Sequence, residues 1–437
     1  MSVLSDLRTV AVNDGFRKLF TVRLVSQCGD GAFQIGLATL FFFNPTNMAT
    51  ASSVAAAFAV LLLPFTVVGP FAGPLLDRWR RRQVLLYGNA IRVVLALVLA
   101  ALMATVGVGL PVYVLALVTL GINRFLLAAL SAGLPRVVPR EHLMMANTIT
   151  PTLGAVSAVV GAGIGLVLGL VAPTGPVKNG IALTIAALLF GAASALAVRL
   201  GRDQLGPVAP APADQLWDDV RATAREMVDG ARYLIARRTP GMALGVMAVH
   251  RFLYGTNFIA LLLISRNLLS DPADAEAGLK MFGTLSAVSF AGNGLGILLT
   301  PVAHERMRPS TWIVVCLGIA GLSQVILATT PVLWVIAVAA VLMGLGVQGA
   351  KIAVDTIVQR DTDDTYRGRA FSLYDTLYNA AFVGAAALAA AALPDTGWSR
   401  GVFLALTAVY VVVTLAYQAG TRRVDDTPVP VLAGERG

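Results

Sequence analysis

Charge is scarce in this chain. Only 13% of its 437 residues are Asp, Glu, Lys or Arg, whereas 57% are hydrophobic. A soluble domain carries about 25% charged residues. So few charges cannot clothe a soluble surface, and the solvent implied for most of the chain is lipid. Cysteine and histidine are scarcer still, at two and three residues. Cys28 and Cys316 each lie inside an apolar run, at no metal-ligand spacing and with no disulfide framework, and read as packing residues. No metal or cofactor is expected. A Walker A sequence is absent, which excludes an ATP-driven motor within this chain. The first twenty residues lack a signal peptide's apolar run and small-residue cleavage site, so the first long apolar segment reads as an uncleaved membrane helix. The formal charge of +9 is not accompanied by a Cys/His cluster or a basic helix with interleaved aromatics. Nucleic-acid binding is therefore not expected.

What the chain does have is apolar length. A spanning helix needs roughly 20 mostly apolar residues. Twelve segments qualify, at about 20–43, 52–75, 84–105, 111–134, 149–172 and 179–199, then 243–264, 281–301, 311–328, 331–353, 369–393 and 401–419. The expected fold is an all-α integral membrane protein, with twelve transmembrane helices in two pseudo-symmetric six-helix bundles. The expected domains are 1–199, a linker 200–242, a second bundle 243–420 and a tail 421–437. The linker opens Pro/Ala-rich (Gly206 to Ala213). It continues as an amphipathic surface helix over Gln215–Arg238, with Trp217, Val220, Met227 and Tyr233 as apolar anchors.

Lys and Arg set the orientation. Of 33, 24 fall on the side holding the N-terminus, the linker and the C-terminus, and four (Lys178, Arg266, Lys280, Arg400) on the other. The positive-inside rule then makes both termini and the linker cytoplasmic. The halves also echo each other at an offset of roughly 225 residues, as internal repeats do. Arg23 and Asp30 of the first segment correspond to Arg251 and Asn257 of the seventh. Gly69 through Asp77-Arg78-Trp79-Arg80-Arg81 corresponds to Gly296 through His304-Glu305-Arg306-Met307-Arg308. Pro139-Arg140-Glu141-His142 corresponds to Asp364-Thr365-Tyr366-Arg367.

Between the second and third segments stands Gly73-Pro74-Leu75-Leu76-Asp77-Arg78-Trp79-Arg80-Arg81-Arg82. It resembles the loop 2–3 signature of the major facilitator superfamily, with Arg80 where glycine is usual. The resemblance covers essentially the whole chain, since segment count, central linker and repeat offset agree. It implies a transporter whose first, fourth, seventh and tenth helices line a cavity. It further implies a gating latch of Gly73, Asp77, Arg78 and Arg81 against Arg367 and Arg369 at the start of the eleventh segment. Physically, a small residue at 73 permits close helix approach, and Asp77 at a helix end can pair with arginines or face a helix N-terminus. The glycines of the fifth segment (Gly154, Gly161, Gly163, Gly165) resemble the glycine-rich fifth helix of the superfamily's drug antiporters without its Gly-Pro step, and Gly29-Asp30-Gly31 and Leu134-Pro135-Arg136 with Pro139-Arg140 look like those of the drug/macrolide-exporter branch.

Ionisable residues inside a bilayer are costly and are functional candidates by default. In the first half they are Arg23, Asp30, Arg92 and Arg124. Asp30 and Arg124 each lie some ten residues from a segment end, about 15 Å deep at 1.5 Å per residue. The expectation is that Asp30 accepts the coupling proton and Arg124 tunes it, or that the two form a static ion pair. In the second half Arg251, Lys351, Asp355 and Asp375 form an expected charged cluster with a structural or gating role, and Lys351 and Asp355 are i,i+4 neighbours that can simply pair. Gln27, Asn123, Tyr254, Asn257 and Gln348 are candidate cavity walls, or interhelical hydrogen-bond partners.

Together these features predict a secondary carrier, not an enzyme, and expected to act as a monomer. It would exchange protons for lipophilic or amphipathic small molecules by alternating access in the plasma (inner) membrane. An importer or a lysolipid or metabolite carrier is the alternative on the same fold. A membrane-embedded prenyl transferase would need two facing acidic motifs, and Asp218-Asp219 and Asp361-Thr362-Asp363-Asp364 do not supply them.

Overall fold

The computed structural model describes residues 13–42, 50–67, 71, 75–76, 78–105, 109–139, 143–171, 176–207 and 215–425. Among the described residues there are helices and turns and no strand. Six helices precede the linker: α1 Asp14–Phe42, α2 Ala51–Val67, α3 Arg81–Thr105, α4 Leu110–Gly133, α5 Leu143–Val171 and α6 Pro176–Ala197. The linker holds α7 Leu216–Ala236. Six more follow: α8 Thr239–Asn267, α9 Ala275–Arg306, α10 Pro309–Thr329, α11 Leu333–Asp361, α12 Asp364–Ala392 and α13 Arg400–Asp425. Nine of the described helices are long and apolar enough to cross a membrane. Outside that set, α2 has only 17 residues, and α1 and α12 both carry ionisable residues.

Several helices run past the apolar segments seen in the sequence. α1 begins at Asp14 rather than near 20, and α11 continues through Lys351 and Asp355 to Asp361. Backbone hydrogen bonding does not stop where apolarity does, since each further turn satisfies its own N–H and C=O groups. Starts are marked locally. α4 and α10 have proline in the first turn, where the missing N–H goes unmissed. Asp274 caps α9 by accepting from the Ala277 N–H at 2.9 Å.

By contacts the chain forms two compact units, one of Met1–Asn47 with Ala56–Ala224, the other of Met48–Ala55 with Arg225–Gly437. In the first unit α1 packs on α5 and α6, and α3 on α4 and α6. In the second, α8 packs on α12, and α10 on α11 and α13. The pairings first-to-fifth, third-to-fourth and third-to-sixth thus recur in both, which is the structural counterpart of the sequence repeat.

Two helices in lipid gain no hydrophobic advantage from meeting, so close packing through small residues must hold them. α1 and α5 do this at backbone distance. A Cβ on Gly31 would lie 1.8 Å from the Ala158 carbonyl oxygen, and one on Gly161 would lie 1.8 Å from that of Cys28. Toward the 134–138 end of α4 an apolar cluster takes over, with Phe16, Leu19, Leu76, Leu130, Val137 and Leu205 buried together.

The basic residues that open α3 cap other helices. Arg81 Nη1 donates to the carbonyls of Ala132 and Leu205 at 3.2 and 2.9 Å. Arg82 donates to those of Ala197 and Val198 at 3.4 and 3.1 Å. Cations are thereby placed at the C-terminal ends of α4 and α6, where orphan carbonyls and the negative end of the dipole favour them.

Candidate functional site

The glycines that let α1 approach its neighbours flank Asp30. Asp30 is 5% exposed and forms an ion pair with Arg92 Nη2 of α3, which is fully buried. Three further groups complete the shell. The Asn123 amide of α4, turned so that its nitrogen faces the carboxylate, donates to Asp30 Oδ2 at 3.0 Å. Ser26 Oγ lies 3.5 Å from Arg92 Nη1 and donates to Asn89 Oδ1 at 3.0 Å. The Phe190 ring of α6 lies under the Arg92 guanidinium, 3.6 Å from centroid to Cζ. An isolated charge here would be prohibitively costly; a hydrogen-bonded pair with a ring face against the cation is tolerated. Chemically, the arrangement is a carboxylate whose charge is balanced by one arginine and which accepts a hydrogen bond from one neutral amide. Adding a proton to Asp30 would remove the attraction that holds Arg92, and with it a tie between α1 and α3.

The cation on Asp30 is thus Arg92, where the sequence reading placed Arg124. Arg124 is half-buried on α4, next to the Asn123 that does reach the carboxylate. Counting residues from segment ends gave depth and said nothing about which face of α3 or α4 meets α1. A signal for Arg92 was present: Asn89 and Arg92 are three apart on α3 and share a face. Ser26 and Phe190 left no such trace. Gln27 accepts from Arg23 Nε at 2.9 Å and lies against Gly154, where an added Cβ would sit 1.8 Å from its Oε1.

In the second unit, the four residues expected to cluster are distributed differently. Lys351 Nζ pairs with Asp355 Oδ2 at 2.7 Å, one turn along α11. Asp375 is exposed on α12. Arg251 lies among rings, its Cζ at 4.0, 4.6 and 5.0 Å from the centroids of Tyr378, Phe382 and Tyr254. Tyr254 and Asn257 line a recess with Phe258, Leu261, Ser286 and Met343, whereas Gln348 is not among its lining residues. His250, unmarked by the sequence pattern, is buried with Nδ1 3.0 Å from the Tyr410 hydroxyl.

Of the expected latch, Gly73 and Asp77 lie outside the described residues, as does the side chain of Arg367. Arg78 and Arg369 contact the linker helix. Arg78 pairs with Asp219 at 2.9 Å in the first unit, and Arg369 with Glu226 at 3.7 Å in the second. Tyr233, expected as a lipid anchor, stacks on Tyr366 at 4.0 Å instead, and Arg237 pairs with Asp363 at 2.8 Å. A tyrosine ring satisfied by another ring has no need of lipid. Trp217 is 70% exposed at the start of the same helix.

Comparison with known proteins agrees on the family. The family model described as Major Facilitator Superfamily matches residues 242–436. An uncharacterized MFS-type transporter of Mycobacterium tuberculosis is 35% identical over 92% of this chain and 90% of its own length. The MFS-type transporter YkuC of Bacillus subtilis, also uncharacterized, is 22% identical over 83% and 82%. Among solved structures, a POT family transporter in complex with 5-aminolevulinic acid aligns over 93% of this chain and 96% of its own, with TM-score 0.67 and 13% identity. The nucleoside transporter NupG aligns over 93% and 98%, with TM-score 0.62 and 14% identity. At such identities the structures share the fold alone. These relatives and neighbours are transporters, not enzymes, and the chain belongs to the major facilitator superfamily.

Proposed function

We propose that this protein is a proton-coupled secondary exporter of lipophilic or amphipathic small molecules, working by alternating access with Asp30 as the proton-accepting group. The observation that carries the reading is the buried Asp30–Arg92 pair with Asn123 against it. A membrane protein keeps such a costly pair where it does work. In this reading protonation of Asp30 releases Arg92, and release biases the packing of α1 against α3. Twelve helices cross the inner membrane with both termini and the linker cytoplasmic, as the basic bias supports. The glycine contact of α1 with α5 supports the export reading, as does the resemblance to the drug/macrolide-exporter branch. Residues 1–199 and 243–420, joined by the 200–242 linker, would act as the two halves of the carrier. Asp77 and Gly73 with the start of α12 would form the gating latch, and Arg124 would tune Asp30 from α4.

The test is efflux from energised cells. Cells expressing wild type or Asp30→Asn at equal levels are loaded with dodecyl probes carrying one NBD fluorophore and a phosphate, glucoside or trimethylammonium headgroup. Lower retention of at least one probe in wild-type cells, abolished both by a protonophore and by Asp30→Asn, supports the proposal. Retention that is low in both proteins and indifferent to the protonophore contradicts it.

A further inference from the structure

Arg251 is a cation with no anion. Its guanidinium contacts the faces of Tyr254, Tyr378 and Phe382, and its Nε is buried with no hydrogen-bond acceptor. Among the described residues no carboxylate pairs with it. The titratable groups beside it are the hydroxyls of Tyr378, Tyr254 and Tyr374. Of the carboxylates expected to cluster with it, Asp355 is engaged by Lys351 and Asp375 is exposed on α12. The contrast within the same protein is informative. Arg92, fully buried and also over a ring, has a carboxylate; Arg251, half-buried, has rings only. Ring quadrupoles soften the partial burial of a cation and do not neutralise it, so a half-buried guanidinium whose buried Nε has no acceptor keeps the capacity to take an anion.

What lies next to Arg251 says what the partner is attached to. Arg251, Tyr254, Phe258 and Leu261 follow the spacing i, i+3, i+7, i+10 and so share one stripe of α8. The stripe spans about 15 Å at 1.5 Å per residue. The recess begins at Tyr254 and continues past Phe258 and Leu261 to Phe290 and Met343. Its polar members, Asn257, Ser286 and Ser289, are few and uncharged. Asn257 Oδ1 and Ser286 Oγ are themselves buried without a partner. One end of the stripe is a cation among three rings, and the other is an apolar slot with two unmet polar atoms.

We infer that Arg251 is the headgroup site for an anionic amphiphile, a carboxylate or phosphate ester whose apolar body lies along the Tyr254–Leu261 stripe. A guanidinium presents a planar fork that matches either oxyanion. The rings of Tyr254, Tyr378 and Phe382 pack around that fork, within 4.0–5.0 Å of its Cζ. The inference rests on the carrier reading above and narrows its substrate class.

The experiment measures binding, which keeps it separate from transport. Purified protein in detergent is titrated with the NBD-dodecyl phosphate, glucoside and trimethylammonium probes and with NBD-dodecanoate, followed by fluorescence anisotropy. The expected result is that phosphate, dodecanoate or both bind at least tenfold tighter than the glucoside and trimethylammonium forms. Arg251→Gln should bring all four within about threefold of one another, and Arg251→Lys should keep the charge order with weaker binding. Which of the two oxyanions binds tighter identifies the source. Because Arg251→Gln can also perturb packing, Lys351→Met serves alongside it and should leave the charge order unchanged. Equal affinities in wild type, tighter binding of the cation, binding of none of the four probes, or an unchanged charge order in folded Arg251→Gln each overturn the inference. Proton-independent efflux with the charge order intact sinks the coupling proposal and leaves this one standing.

Discussion

The Asp30–Arg92 pair makes a quantitative prediction through a double-mutant cycle. Arg92→Met removes a fully buried cation and leaves the Asp30 carboxylate, 5% exposed, with the Asn123 amide alone. Breaking a buried pair by deleting one partner costs about 3–5 kcal/mol, because the survivor is an uncompensated charge. Asp30→Asn is milder. It leaves Arg92 with Phe190 at 3.6 Å and a neutral amide still able to accept a hydrogen bond, so the cost should fall near 3 kcal/mol, the low end of that range. The double variant Asp30→Asn/Arg92→Met contains no buried charge at this site. Replacing a buried pair with uncharged groups of similar volume is often neutral, so its stability should lie within about 2 kcal/mol of wild type. The two single costs therefore sum to far more than the double cost, with a coupling of at least about 4 kcal/mol. The assay is reversible unfolding in mixed micelles followed by the fluorescence of the five tryptophans. Additivity of the two singles within about 0.5 kcal/mol would refute the reasoning, since independent sites add to that tolerance. The same double variant separates two roles: if the pair only braces α1 against α3, restoring stability restores transport; if Asp30 carries the proton, the stable double variant remains uncoupled.

Other predictions rest on single contacts. Gly31→Ala should cost folded yield, as its Cβ would meet the Ala158 carbonyl at 1.8 Å, whereas Gly163→Ala, with nothing within 4 Å, should not; monodispersity on size exclusion checks both. Lys351→Met should change stability by about 0.5 kcal/mol or less, the usual worth of an i,i+4 pair that is partly exposed, measured in the same unfolding assay. The Tyr233 hydroxyl and the Arg237 guanidinium hold the Asp363 carboxyl below the usual carboxylate range. A depressed folded pKa means the contact is intact above the unfolded carboxylate value near 3.9 and is lost as pH falls through the folded value. Hydrogen exchange at the first turn of α12 should therefore quicken below about pH 4, and Asp363→Asn should make it fast at neutral pH as well.

Much of the fold was legible because lipid leaves one local rule, long apolar runs that satisfy their own backbone. The described helices fall on the expected segments, and Gly154, Gly161 and Gly165 of α5 meet α1. Helix ends were less legible, because α1 and α11 extend into charged sequence, where backbone hydrogen bonding and i,i+4 pairs such as Lys18–Asp14 and Lys351–Asp355 carry them on. The site was legible residue by residue and not pair by pair. Asp30 and Arg92 both stood out as charges in apolar runs, yet choosing Arg92 over Arg124 as the partner needs the rotation of α3 and α4 about their axes. In lipid almost every side of a helix is apolar, so periodicity does not report that rotation. Tyr233 shows the same limit: its place on the linker helix's apolar side was readable, and its stacking on Tyr366 was not, since that contact joins residues far apart in the chain.

The central claim is that Asp30 couples proton movement to transport. The direct measurement is proton flux in proteoliposomes loaded with a trapped pH dye, driven by an imposed gradient of the NBD probe that the wild-type protein exports best. The account predicts probe-driven acidification or alkalinisation in wild type and its absence in Asp30→Asn, which still exchanges probe down its gradient. Probe movement in wild type with no accompanying protons, or an unchanged proton flux in Asp30→Asn, would contradict it.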